Sequence, residues 1–160
     1  AVGRLEPPPR LTMIGRCSDS LARRLEDRAS ASGTPLDLPG FLPYATAWRE
    51  AAHHLVGVSP LLDRPNYRNS LPTKLLEYRS VGLVVVASDL PGSQSALEGS
   101  LAASMVAPGD VDALAAEIDR ALHDPTRAAA AIDEVDDVRS QAWDAEAFAA
   151  FYRGLIDDRR

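Results

Sequence analysis

The sequence has one cysteine and one lysine, and no apolar run approaches the roughly 18 residues that a membrane-spanning helix needs. A lone Cys17 excludes an intrachain disulfide and a cysteine-based zinc site, and it favours a reducing compartment, so the expected location is the cytoplasm. Contact with the inner face of a membrane would then be peripheral. The opening residues, AVGRLEPPPR, have neither the hydrophobic stretch nor the cleavage site of a signal peptide. No G-x-G-x-x-G follows a strand-like run and no G-x-x-x-x-G-K-[ST] occurs, so the usual dinucleotide and triphosphate cradles are missing. The nucleophile-elbow pattern fails after Gly57-Val58-Ser59-Pro60, where Leu61 stands in place of the second glycine. His53 and His54 are adjacent and point apart on either regular element, and His123 sits at a helix end beside Asp124 and Pro125. The histidines do not converge, and no metal site is expected.

What is present describes one domain. The chain has 160 residues, 46% of them hydrophobic, which suits one domain with a real core and is too short for two. The net charge of −6 is uneven: residues 1–110 carry 11 basic and 11 acidic groups, residues 111–160 carry 6 basic and 12 acidic ones. An acidic C-terminal third repels phosphate backbones, so a nucleic-acid partner is not expected. The balanced first part leaves room for a local anion site.

Short apolar runs alternate with helical patterns along the chain, which argues for an α/β fold. The strand candidates are Leu11 to Ile14, Leu36 to Leu38, Leu55 to Val58, Leu83 to Ala87 and Ser104 to Val106, each bounded by Gly, Pro, Ser or Asp. Their near-continuous apolar character suggests parallel strands buried on both faces. Ser18 or Asp19 can cap a helix through Ala29, and Ala45 to His53 reads as another. Asp110 can cap a third, with Val111, Leu114, Ala115, Ile118 and Leu122 at helical spacing. Asp144 can cap a last one, carrying Phe148, Phe151, Tyr152 and Leu155 on one stripe, with Trp143 positioned to staple onto Phe148. Core packing explains that aromatic stripe better than a ligand box.

The segment Asn69 to Gly92, NSLPTKLLEYRSVGLVVVASDLPG, holds the single lysine. All 16 other basic residues are Arg, so Lys74 is the one compact ammonium, and it falls in the first turn of a helix. Ser70 or Leu71 reads as the N-cap region, and Pro72 suits a first turn because its missing N–H has no partner there. Free N–H groups at Thr73 and Lys74 would attract a phosphate, and Glu77, one turn deeper, could accept from two adjacent hydroxyls of a ribose. The alternative is an ordinary exposed Lys74–Glu77 pair, worth a few tenths of a kcal/mol. Gly82 ends the helix, and the next strand runs into Ser88-Asp89-Leu90-Pro91-Gly92, so two loops meet at the edge of the sheet where open α/β folds bind ligands.

N-x-x-P-x-K-x-x-E-Y, then Gly and VVVASDLPG, resembles the donor-binding half of GT-B glycosyltransferases, above all the large retaining family four, the group 1 type. Leu11 to Gly15 resembles that family's second strand, Leu38 to Pro43 its loop before the next helix, and VAPGDVDALAAEIDRALHDP and the Trp143 helix also match. The resemblance implies a Rossmann-like, doubly wound parallel sheet with helices on both faces, and a transferase moving a sugar from a UDP- or GDP-linked donor to a glycan, lipid-linked or small-molecule acceptor. It implies no cofactor and no metal requirement. Glu77 would hold the donor ribose, and Asn69, Ser70, Leu71 and Thr73 would line the sugar and distal phosphate with Lys74 beside them. Gly40, Phe41, Leu42 and Pro43 would lie near the nucleobase. Many members carry a second Glu eight residues before the first, where this chain has Asn69, which brings no charge. The family's domain opens with a strand and a Gly-Arg turn, of which AVGRLEPPPR retains only the end of the following helix. Since that strand is central in the doubly wound order, the sheet is expected to have a gap, and residues 1–160 are expected to be one domain of a longer, two-domain protein, inactive alone. A GT-B sugar-nucleotide epimerase and a non-catalytic Rossmann-like binding module are the alternatives.

Overall fold

The computed structural model describes residues 1–68, 70 and 72–141. Asn69, Leu71 and the closing helix expected around Trp143, Asp144, Phe148, Phe151, Tyr152 and Leu155 lie outside the described residues. The chain opens with a 3-10 turn, Val2–Arg4, where the sequence suggested the end of an α-helix. The elements then run β1 (Leu11–Ile14), α1 (Asp19–Ala31), β2 (Leu36–Gly40), α2 (Tyr44–Ala51), β3 (Val56–Ser59), α3 (Pro65–Arg68) and α4 (Thr73–Ser80). They continue with β4 (Val84–Ser88), α5 (Pro91–Ala96), β5 (Ala103–Val106), α6 (Val111–His123), α7 (Pro125–Asp133) and α8 (Val135–Gln141). All five strand candidates exist, displaced by no more than two residues at any end.

Every strand pairing is parallel, but the ladder is in two pieces: β1 pairs with β2, and β3, β4 and β5 form a second sheet in that order. Parallel pairing requires a crossover between successive strands, and the helices between them supply it. Three helices start on the caps that their sequences offer. Ser18 Oγ accepts from Leu21 N–H at 3.3 Å, Asp110 Oδ1 from Ala113 N–H at 2.8 Å, and Asp124 Oδ1 from Thr126 and Arg127 N–H at 3.0 and 3.2 Å. The last of these starts α7, with Pro125 at its first position, a helix the sequence reading left out.

The core belongs to the three-stranded sheet. β4 is buried along its whole length and alternates: Val84 and Val86 pack against Ile118, Ala121 and Ala131 of α6 and α7, while Val85 and Ala87 pack against Leu75 and Ala96 of α4 and α5. This sheet therefore carries helices on both faces, as expected. The two-stranded sheet does not: β1, β2, α1 and α2 contain no fully buried residue, contrary to the expectation that all strands are covered on both sides. The N-terminal turn spans the two parts. Ala1, Val2 and Leu5 pack on the core of the larger sheet, and Gly3 lies so close to the α1–β2 connection that a Cβ there would sit 2.5 Å from Ser32 Oγ.

Candidate functional site

The residues singled out by sequence fall into two groups, each at the carboxyl end of its own sheet. The first is the start of α4, which follows β3. Pro72 is the N-cap rather than Ser70 or Leu71; its ψ of 90° is not helical, so the helix begins at Thr73. No side chain caps this end, and the N–H groups of Thr73 and Lys74 have no acceptor among the described residues. The far end of α4 is closed in full: Gly82 adopts φ 77°, Gly82 N–H bonds Arg79 O at 3.1 Å, and Leu83 N–H bonds Tyr78 O at 3.1 Å. The helix is thus finished where it meets β4 and open where a ligand would approach.

Lys74 Nζ donates to Glu77 Oε2 at 2.6 Å. The lysine side chain is 65% exposed and that of Glu77 only 21%, so the ammonium reaches down to a carboxylate partly set into the surface. Leu75 between them is completely buried and holds the turn down on β4. Tyr78, next along, lies across β3 at Gly57, where a Cβ would come within 2.5 Å of the tyrosine ring. Burial pushes the Tyr78 phenol above its ordinary pKa and the Glu77 charge adds to this, while the Lys74 charge acts in the opposite direction. Gly57 fits no catalytic pattern in sequence, yet it lets α4 approach the sheet.

Ser70 stands on the loop before α4, its Oγ donating to Tyr67 O at 3.2 Å. Its carbonyl reaches the first turn of α5, where any Cβ at Gly92 would collide with it, and Pro72 Cδ would be 3.3 Å from that Cβ. The loops after β3 and β4 therefore meet, as two loops at one sheet edge should. Gly92 is the residue that permits their meeting, and the Pro-Gly pair in the sequence is its only signal. Asn69 and Leu71 lie outside the described residues.

The second group is Gly40, Phe41, Leu42 and Pro43 at the end of β2. Gly15 and Gly40, the glycines ending β1 and β2, both have positive φ, and Gly15 N–H bonds Gly40 O at 2.9 Å. A Cβ at either would meet nothing, so the backbone is bare there. Phe41 is 64% exposed with the Arg16 guanidinium carbon 5.1 Å from its ring centroid, a cation–π pair. Both line a cleft of about 420 Å³ between the strand ends and α1. Leu42 is half-buried and takes no part in this cleft, and Pro43 is the N-cap of α2. No hydrogen bond or ion pair joins the two groups among the described residues. No set of three His, Cys, Asp or Glu side chains there is arranged to hold a metal ion.

Two carboxylates outside these loops escaped the sequence because most of their partners lie in other elements. Glu134 accepts from Ser100 Oγ and Leu101 N–H at 2.7 Å, from Ala102 N–H at 3.2 Å and from Arg79 at 3.4 Å. Glu117 accepts from Arg127 at 2.7 Å, while Arg127 also donates to Ser104 Oγ at 2.9 Å. Burial pushes both carboxyls up, and the hydrogen bonds and arginine charges outweigh it, so both end below the ordinary glutamate range. Arg79 and Arg139 tie the end of α4 to its neighbours, with Arg139 Nε donating to Ser80 O at 3.0 Å. These are fastenings of the helix that carries Lys74 and Glu77.

No helix among the described residues is long and apolar enough to cross a membrane. No curated protein matches the chain. The model of the family described as glycosyl transferases group 1 matches residues 1–124, from the N-terminal turn to the end of α6, and so includes both groups of site residues. The chain belongs to the group 1 glycosyl transferases, whose general activity is the transfer of a sugar from a donor to an acceptor.

Proposed function

We propose that this chain is the donor-binding part of a transferase that takes a sugar from a UDP- or GDP-linked donor and delivers it to an acceptor in glycan or polysaccharide biosynthesis. The observation that carries the reading is the uncapped start of α4, with Lys74 and Glu77 on one side of its first turns and the Ser70 loop beside it. Anions are favoured at such a helix end by its free N–H groups. The Lys74–Glu77 pair is exposed on the lysine side and worth a few tenths of a kcal/mol, so a donor displaces it at little cost. Lys74 then turns to the diphosphate, and Glu77 accepts from the ribose hydroxyls. Ser70 and Thr73, with Asn69 and Leu71, line the distal phosphate and sugar, and Gly40 to Pro43 face the nucleobase.

Charge grows on the leaving diphosphate as the glycosidic bond breaks, and a helix N-terminus with an adjacent ammonium stabilises that charge without a metal. Transfer with retention of configuration, the acceptor contacts and any general base belong to a second domain of a longer polypeptide. In this reading a further strand joins the two pieces of the ladder and supplies the rest of the diphosphate site. The 160-residue chain alone binds nucleotide weakly and does not turn over. The enzyme works in the cytoplasm or at the inner face of the membrane.

Calorimetric titration of the full-length protein with UDP, GDP and ADP, repeated for Glu77→Ala, tests the assignment. At least one nucleotide should bind, and the variant should lose about tenfold or more in affinity, the loss expected for a charged hydrogen-bond acceptor. An affinity unchanged in Glu77→Ala would remove the assigned site.

A further inference from the structure

The cleft at the ends of β1 and β2 has a composition that selects among nucleobases. One wall is α1, which presents Asp19 and Glu26, seven residues and about two turns apart on one face. The same cleft is lined by Phe41 and by Arg16, whose guanidinium lies over the Phe41 ring. Met13 of β1 adds an apolar side chain to the lining, and Gly15 adds bare backbone. Arg16, Asp19 and Glu26 thus share one cleft with opposite charges, yet none of the three side chains makes an ion pair or hydrogen bond among the described residues. Their hydrogen-bonding capacity is uncommitted.

We propose that this cleft selects guanine, so that the donor is a guanosine diphosphate sugar. The inference rests on the nucleotide-sugar reading of the domain and narrows it. Guanine presents two adjacent donors, N1–H and the exocyclic amino group, which a carboxylate accepts as a fork. Its other edge presents two acceptors, O6 and N7, which an arginine donates to as a fork. Uracil offers one N–H flanked by two carbonyl oxygens, which a carboxylate repels. Adenine offers a single amino group beside an unprotonated ring nitrogen, so a carboxylate gains one bond where guanine gives two. A site with a carboxylate wall, an arginine and an exposed phenyl ring fits guanine on both edges and on its face.

Cys17 lines the same cleft, is exposed and is the chain's only thiol, which makes it a reporter of occupancy. The rate of Cys17 alkylation is followed by peptide mass spectrometry in the full-length protein with millimolar GDP, UDP or ADP present, together with calorimetric affinities for each. GDP should slow alkylation at concentrations where UDP and ADP do not. Asp19→Asn combined with Glu26→Gln should weaken GDP by about ten- to a hundredfold while UDP affinity rises, since the carboxylates that repel uracil are gone. Both carboxylates are exposed and unpaired, so the variant keeps its fold, checked by an unchanged circular-dichroism melt. Protection by UDP or ADP equal to that by GDP overturns guanine selection and leaves the donor reading standing. Binding of GDP without protection of Cys17, or with an affinity that the double substitution does not change, overturns the placement of the base. Absence of binding by every nucleotide overturns both readings.

Discussion

Single positions decide whether the loops of this domain can meet. Gly92 has no side chain because the Ser70 carbonyl occupies the space where a Cβ would go, and Gly57 has none because the Tyr78 ring lies there. Neither needs left-handed backbone, so alanine would fail by collision alone. Gly92→Ala should destabilise the protein by about 1–3 kcal/mol, the usual cost of overpacking, seen as a lower urea midpoint at unchanged slope. An unchanged midpoint would mean that the loop before α4 moves aside freely and that the contact does not set the site. The roles of these glycines were not legible in the sequence, since close approaches between residues 22 and 21 positions apart leave no local pattern. Lys74 and Glu77 were legible because their chemistry and spacing are local, although the sequence left open whether they pair. They do pair, at 2.6 Å.

Elements followed their sequences where the signal was local. Strand positions could be read from apolar runs closed by Gly, Pro or Ser, and α1 and α6 from capping residues that the structure finds in place at Ser18 and Asp110. α7 carried an equally good signal in Asp124-Pro125, but its run of alanines lacks the spaced large apolar residues that mark an amphipathic stripe. What holds these helices together was hidden for another reason, since Glu134 and Arg79 are 55 residues apart in the chain. The Glu134 carboxyl lies below its ordinary value of 4.5. A depressed carboxyl contributes stability that is complete above its unfolded-state pKa and is lost as pH falls through the folded one. The protein should therefore lose stability on acidification below about pH 4.5, and Glu134→Gln should flatten that loss while costing about 2–3 kcal/mol at neutral pH. Chemical denaturation at pH 7 and at pH 3.5 measures both effects; an equal pH slope in the variant and the parent would show that this carboxyl is not what acid attacks.

For the molecule as a whole, burial is unequal. Every buried apolar side chain among the described residues lies between Leu75 and Val138, while Met13, Leu21, Phe41 and Leu55 of the first part are exposed. The separate pair β1 and β2 is not covered as β4 is. Hydrogen exchange should accordingly find the slowest amides in β4 and much faster exchange in β1 and β2, since local opening is easiest where few apolar contacts are buried. Uniform protection across both sheets would contradict this division. The α/β class was readable from the alternation of strands and helices, and the doubly wound order only through the family resemblance. The uneven core was not, because periodicity reports which residues are apolar and not what covers them. In the proposed site Glu77 receives the ribose of a nucleotide donor. The most direct test compares the affinity of the full-length protein for a ribonucleoside diphosphate and its 2′,3′-dideoxy counterpart, in the parent and in Glu77→Gln. The parent should favour the ribonucleotide by about tenfold or more and the variant should discriminate far less; equal discrimination in both would contradict the claim.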